Sequence, residues 1–198
     1  MKKTLFTIFL GWISLPVFAQ DRKDLSISFA SGAMNSPYYT NAKKRPFYNF
    51  DFTYHLHSRH HLSTSFFDGK HFYYDNVLSN DAVPLTTPGY SKHTNAIAAY
   101  NVFSVLYKYK FFRGNNISLV AGAGAGIMRQ TREYTYTQAT SSSTRQSGWS
   151  DLVFPVKLEF DYQLSKHFKA GLIGGCFVHP DFPVLGYHAG PRVSYIIK

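Results

Sequence analysis

The chain has 198 residues, of which 18% are aromatic and 16% charged, and its formal net charge at pH 7 is +10. Its single cysteine, Cys176, excludes a disulfide bond within the chain. Beyond the first residues, no apolar run reaches the roughly 20 residues that a membrane-spanning helix needs, so a chain of this kind would enter a membrane only with strands.

The N-terminal segment has the layout of a secretory signal. Lys2 and Lys3 precede an apolar stretch that ends near Leu15 and is followed by small or modest side chains. We expect residues 1–19 to be removed, which leaves residues 20–198 as one domain. This domain carries 19 Lys and Arg against 11 Asp and Glu, a net charge of +8. Because the protein is exported, an anionic lipid or lipopolysaccharide surface suits this charge better than nucleic acid.

Residues 48–57 alternate strictly between large apolar and polar side chains, which predicts a strand with one apolar and one polar face. The same period recurs along the chain. It predicts eight strands, at residues 25–33, 47–57, 62–73, 95–110, 117–136, 152–162, 168–178 and 187–197.

The connections between these strands alternate between long and short. The short ones are tight turns at residues 58–61, 111–116 and 163–167. The long ones are residues 34–46, 74–94, 137–150 and 179–186, and the Ser/Thr-rich residues 139–147 are predicted to be a mobile loop tip. This rhythm predicts an all-β, eight-stranded, antiparallel up-and-down transmembrane β-barrel, with the short turns towards the periplasm and the long loops outside.

Large rings crowd the apolar face of the strands, and tyrosines concentrate near the strand ends, as in the aromatic girdles of membrane barrels. The predicted girdle consists of Tyr48, Tyr54, Tyr107, Tyr109, Tyr162, Tyr187 and Tyr195. The opposite face carries charges of both signs, which would pair inside a narrow barrel. The predicted polar network of the lumen consists of Asp51, His55, Lys108, Lys157, Glu159, Asp161 and Arg192. The alternative is a soluble, exported, lipocalin-like cup with the rings inside and the charges in water.

With the signal, the strand rhythm and the closing strand at residues 186–197, the chain resembles the small eight-stranded outer-membrane proteins of the OmpA/OmpX-like β-barrel domain family. The resemblance implies location in the cell outer membrane, contact with its lipid and lipopolysaccharide, and insertion by the barrel-assembly machinery. Many such proteins end on an aromatic residue that this machinery reads. This chain ends in Ile197 and Lys198, with Tyr195 as its last ring.

Two groups of residues invite a chemical interpretation. His55, His57, His60 and His61 are bunched at one turn and could bind zinc or copper, but imidazoles at a membrane interface explain them equally well. Glu159 and Asp161 share one strand face and could act as an acid and base pair, but ion pairs with partners such as Lys157 and Arg192 explain them better.

Some barrels of this size are lipid A-modifying enzymes with Ser and His near the outer leaflet. The histidines placed for such a role are His71, His93, His179 and His188, and none has a neighbouring Ser and carboxylate in a recognisable arrangement. We therefore expect a monomeric, non-enzymatic protein with no cofactor and no metal, whose long loops meet an unknown partner at the cell surface. The alternative is the lipid A-modifying enzyme on the same barrel.

Overall fold

The computed structural model describes residues 24–37, 45–74, 95–137, 142–181 and 184–197. The predicted signal at residues 1–19, most of the connection at 74–94 and His93 lie outside these ranges. No helix in the described ranges is long and apolar enough to cross a membrane. The eight strands are β1 Leu25–Asn35, β2 Arg45–His55, β3 His60–Tyr74, β4 Asn95–Arg113, β5 Ile117–Thr137, β6 Ser142–Gln163, β7 Phe168–Val178 and β8 Gly186–Ile197.

The strands form a closed barrel in which each strand pairs with the next one in sequence. All the pairs are antiparallel, and β1 closes the barrel on β8, where Leu25 lies opposite Ile197. Because every described strand has a neighbour on both sides, the barrel has no open edge along its common height. The predicted all-β class and the eight-stranded up-and-down barrel are confirmed.

Three strands are much longer than the others. β4, β5 and β6 have 19, 21 and 22 residues, whereas β1, β2 and β7 have 11 each. β6 begins at Ser142 rather than at residue 152, and its first part pairs with β5 up to Thr137 opposite Ser142. The prediction of a loop tip at residues 139–147 is therefore wrong from Ser142 onwards. Every other strand end lies within three residues of its predicted position.

Most of the large rings point away from the barrel axis, and the charges of the predicted network point towards it. Phe50 and Phe160 are 43% and 39% exposed, whereas Asp51 and Glu159 are 0% and 2% exposed. A continuous belt of exposed rings and aliphatic side chains surrounds the outside, and such a belt is stable only against hydrocarbon. This orientation is the reverse of that in a soluble cup, so the structure contradicts the cup alternative.

The inside of the barrel has two layers. The ionic layer, nearer the short turns, consists of Asp51, Lys108, Lys157, Glu159, Asp161 and Arg192, all buried. The apolar layer, nearer the long connections, is a cluster of buried side chains that includes Met34, Phe47, Phe67, Tyr100, Met128 and Phe177. The sequence predicts a polar interior throughout, and the apolar layer is an addition that the structure reveals.

Candidate functional site

Asp51 lies at the centre of the ionic layer, between two lysines that come from other strands. Lys108 Nζ donates to Asp51 Oδ2 at 2.9 Å and to Glu159 Oε1 at 2.6 Å. Lys157 Nζ donates to Asp51 Oδ1 at 3.0 Å. The network therefore joins β2, β4 and β6 across the lumen, and each buried ammonium group faces a carboxylate, as burial requires.

Arg192 on β8 completes the network on its other side. Its Nη2 lies 3.2 Å from Glu159 Oε2, its Nη1 donates to Asp161 Oδ1, and its Nη2 also donates to Ser28 Oγ at 2.8 Å. Three cationic and three anionic side chains thus pair within one layer. Because all three carboxylates are held in ion pairs, Glu159 and Asp161 are not arranged as a catalytic acid and base.

Neutral polar side chains satisfy the remaining donors of Lys157. Its Nζ donates to Asn49 Oδ1 at 2.8 Å and to Ser65 Oγ at 2.6 Å, and Asn49 Nδ2 donates to Asp51 Oδ1 at 2.9 Å.

A glycine on β5 provides room for Lys108. A Cβ atom at Gly122 would lie 2.9 Å from Cγ of Lys108, so the stem of that lysine occupies the space that a side chain on β5 would need.

The apolar layer closes the lumen above the charges. The rings of Phe47 and Phe67 stack with centroids 5.3 Å apart, and Phe177 meets Phe67 edge-on at 4.8 Å. His188 lies among these three rings, 4.9 Å from Phe47 and from Phe67. It is therefore a packing residue of the interior and not a lipid-facing catalytic histidine.

His179 is the other described candidate for a catalytic histidine. Both of its ring nitrogens form hydrogen bonds. Its Nε2 shares a 2.8 Å hydrogen bond with Asp151 Oδ2, and its Nδ1 accepts the Asp181 N–H at 3.1 Å. A general base needs one nitrogen directed at the nucleophile, and neither nitrogen of His179 is left for that role. The His71 side chain and His93 lie outside the described part of the structure.

His55 is not in contact with the ionic layer. It lies at the short-turn end, where its Nε2 shares a 3.0 Å hydrogen bond with Ser26 Oγ and its Nδ1 shares one of 2.8 Å with His61 Nδ1. His57 lies in the turn after β2 and is exposed. His61, the imidazole partner of His55, lies on β3. Among the described residues, no group of three or more His, Cys, Asp or Glu side chains is placed to hold a metal ion.

The tyrosines of the predicted girdle lie near both ends of the outer surface. Tyr48 and Tyr187 lie towards the long connections, and the other five lie towards the short turns. All are exposed except Tyr54, which is half-buried. Tyr107 Oη shares a hydrogen bond with His60 Nδ1, and Tyr187 Oη accepts one of 3.2 Å from Asn35 Nδ2. Their polar ends thus meet polar groups at the borders of the apolar belt, as in an interfacial girdle.

No protein-family model and no curated protein matches the chain. Solved structures do match. The structure of Ail, the attachment invasion locus protein of Yersinia pestis, in complex with the heparin analogue sucrose octasulfate, has a TM-score of 0.53 at 14% identity, covering 88% of this chain and 97% of Ail.

Two further structures have slightly lower scores. The N-terminal β-barrel domain of Pseudomonas aeruginosa OprF has a TM-score of 0.48 at 14% identity, covering 88% of this chain and 97% of OprF. Neisserial surface protein A has a TM-score of 0.48 at 10% identity, covering 87% of this chain and 96% of its own. The likeness to Ail shows the fold. Together with the outward apolar belt, this fold agrees with the resemblance to small outer-membrane barrels and with the predicted location in the outer membrane.

Proposed function

We propose that the protein is a non-enzymatic, monomeric outer-membrane barrel that does not conduct and that presents a strand-built surface outside the cell. The short turns face the periplasm, and the long connections face outwards. The observation that carries this proposal is the filled interior combined with the tall part of the barrel formed by β4, β5 and β6.

The filled interior supports a structural rather than a transport role. An open channel needs polar walls with room for water between them. Here the charges of the ionic layer neutralise one another at distances such as the 2.6 Å between Lys108 Nζ and Glu159 Oε1. The stacked rings of Phe47 and Phe67 lie above that layer. An ion crossing this barrel would have to break buried ion pairs and then pass an apolar layer, and both steps are unfavourable.

The tall strands support interaction at the cell surface. A transmembrane strand needs only about 9–11 residues, whereas β5 and β6 have 21 and 22. β6 pairs with β5 from its first residue, Ser142, but it pairs with β7 only from Phe154 onwards. The first part of β6 therefore has only β5 as its neighbour, and residues 146–150 on it are exposed. The polar side chains of the β5–β6 hairpin include Arg129, Gln146 and Ser150. Such a surface suits a partner outside the cell or the headgroups of lipopolysaccharide.

Electrophoresis, conductance and lipid analysis test the proposal. The folded barrel should migrate differently in a gel before and after boiling, and the purified protein should give no steady ion conductance in planar bilayers. Deletion of the gene should leave the mass of lipid A unchanged. Steady conductance would contradict the sealed interior, and a changed lipid A mass would favour the enzyme alternative.

A further inference from the structure

A cavity of about 520 Å³ opens at the short-turn end of the barrel, next to the ionic layer. Its wall is formed by the turns after β2, β4 and β6 and by the ends of β1 and β8. The ionisable side chains important for its chemistry are Asp24, His61, Lys110, Arg113, Lys166 and Lys169.

The wall of this cavity has an excess of positive charge. Lys110, Arg113, Lys166 and Lys169 line it, against the single carboxylate of Asp24. Within the part of the chain that the structure describes, none of these four cations forms an ion pair. The strongest interactions of Lys110 with other charges are repulsive, with Lys169 and then with Arg113. The cavity therefore differs from the ionic layer beside it, where cations and anions match.

A buried imidazole nitrogen in the same wall lacks a partner. His61 is 2% exposed, and its Nε2 has no hydrogen bond. Its Nδ1 shares a hydrogen bond with His55 Nδ1, and His55 Nε2 shares one with Ser26 Oγ. If Ser26 donates to His55 and His55 donates to His61, the remaining proton of the neutral His61 ring lies on Nε2. An anion in the cavity would select this arrangement and would satisfy a donor that is otherwise left unpaired.

Backbone hydrogen bonds between neighbouring elements hold the wall in place. Lys110 N–H donates to the carbonyl oxygen of Arg59 at 2.8 Å, which ties the turn after β2 to β4. Gln163 N–H donates to the carbonyl oxygen of Asn116 at 2.7 Å, which ties the turn after β4 to β6. The cations therefore project from a fixed rim, and binding requires little reordering of the backbone.

We propose that this cavity binds a phosphate group. A phosphate monoester carries a charge of about −1.5 to −2 at pH 7 and several acceptor oxygens, so one group can face two lysines and the His61 N–H together. A single carboxylate would leave most of the excess charge unbalanced. With the short turns towards the periplasm, as proposed above, the phosphate could belong to a lipid headgroup of the inner leaflet or to a soluble periplasmic molecule. Both sources offer the same oxyanion.

The test has a soluble and a lipid arm, each read from the imidazole ¹⁵N signals of His61. Inorganic pyrophosphate is titrated into the mature barrel in a non-ionic detergent, and the barrel is also placed in nanodiscs with and without phosphatidic acid, a lipid phosphate monoester. We expect saturable movement of the His61 signal in at least one arm. A response to pyrophosphate identifies a soluble source, and a response only to phosphatidic acid identifies a lipid source. The absence of a response in both arms would overturn the proposal.

Matched variants separate a defined site from general attraction to a basic protein. Lys110→Gln and Lys169→Gln should each weaken binding about tenfold, as expected for one lost charge-assisted hydrogen bond. Lys70→Gln removes the same charge from an exposed position on β3, near the opposite end of the barrel, and should leave binding unchanged. Equal weakening in all three variants would show general electrostatic attraction and overturn the site. Heat-modifiable migration confirms that each variant is folded, and it tests the membrane barrel independently of phosphate binding.

Discussion

Lys108 and Asp51 are 57 positions apart in the chain, yet the Lys108 ammonium nitrogen lies 2.9 Å from Asp51 Oδ2 and both side chains are buried. The pair connects β4 to β2 across the lumen, past the intervening β3. Lys108 also bonds to Glu159, and Asp51 also bonds to Lys157. Removing either side chain therefore breaks two ion pairs.

The first prediction concerns this pair. Lys108→Met keeps the stem of the side chain but removes its charge, which leaves Asp51 and Glu159 without one of their partners. Loss of one member of a buried ion-pair network costs about 3–5 kcal/mol, so the free energy of unfolding in lipid vesicles should fall by that amount. Urea titration followed by tryptophan fluorescence measures it.

The control for Lys108→Met is Lys70→Met, which makes the same chemical change at an exposed position. Its effect should be small, because exposed charges contribute little to stability. Equal stability of the two variants would show that the ionic layer is not a stabilising network in the membrane.

The second prediction concerns the space that Gly122 leaves for Lys108. Gly122→Val places its Cβ 2.9 Å from Cγ of Lys108, closer than side-chain carbons pack, so the lysine must move away from Asp51. We expect a loss of about 1–3 kcal/mol, typical of overpacking. Ala121→Val adds two methyl groups on the exposed outer face, one carbon fewer than Gly122→Val adds inside, and should have little effect. If the two variants unfold at the same urea concentration, Gly122 has no special role.

The third prediction tests the outward belt. Leu158 is 53% exposed and lies near the middle of the exposed apolar series of β6 that runs from Leu152 to Tyr162, whereas Phe111 is exposed near the short-turn end. Leu158→Arg should cost about 2–4 kcal/mol and Phe111→Arg about 0–1 kcal/mol, because the cost of an arginine falls from the middle of the bilayer to its interface. Unfolding from vesicles measures both. A soluble protein would tolerate both substitutions equally, and that result would refute the bilayer assignment.

The fourth prediction concerns pH at the extracellular mouth, where Asp151 meets His179. The hydrogen bond with His179, and then that from the Leu152 N–H, lower the pKa of the Asp151 carboxyl below its usual 3.8. A carboxyl group with a depressed pKa stabilises the folded contact when it is ionised. Its contribution is therefore present above the usual pKa and is lost as the pH falls through the lower, folded-state pKa.

Carboxyl ¹³C signals recorded between neutral and strongly acidic pH measure this titration. The signal of Asp151 should titrate below that of an unfolded peptide, and His179→Ala should return the midpoint towards the peptide value. An unchanged midpoint in the variant would show that the contact with His179 does not persist in solution.

The sequence predicted the fold and the two faces of the wall because both depend on local order. The strict period of two in residues 48–57 puts Phe50 and Asp51 on opposite faces wherever the strand lies in the barrel. The crowding of large rings on one face, with tyrosines near the strand ends, indicates that this face is the outer one. The alternation of short and long connections gives the antiparallel order. The strand at residues 142–147 was not predicted, because a polar, serine- and threonine-rich composition is typical of loops. In the structure, the backbone of these residues pairs with β5.

The contacts inside the barrel could not be predicted, because they depend on the stagger between strands that are not neighbours in sequence. Lys157 is expected beside Glu159 or Asp161, on its own strand, but its ion pair is with Asp51 on β2. The contact between His55 and His61 depends instead on the register of the neighbouring strands β2 and β3, which places the two residues directly opposite each other. A pattern of alternation shows which side of the wall a residue occupies but not its height or its partner across the axis.

The pairing of Leu25 with Ile197 has a consequence for biogenesis. The ladder that completes the cylinder joins the first described strand to the last one, so it cannot form until β8 is available to β1. Until then, both terminal strands keep unsatisfied backbone groups that could nucleate aggregation. Pairing of β1 with β8 is therefore the most non-local step of barrel assembly, and the open intermediate has to be protected until that step.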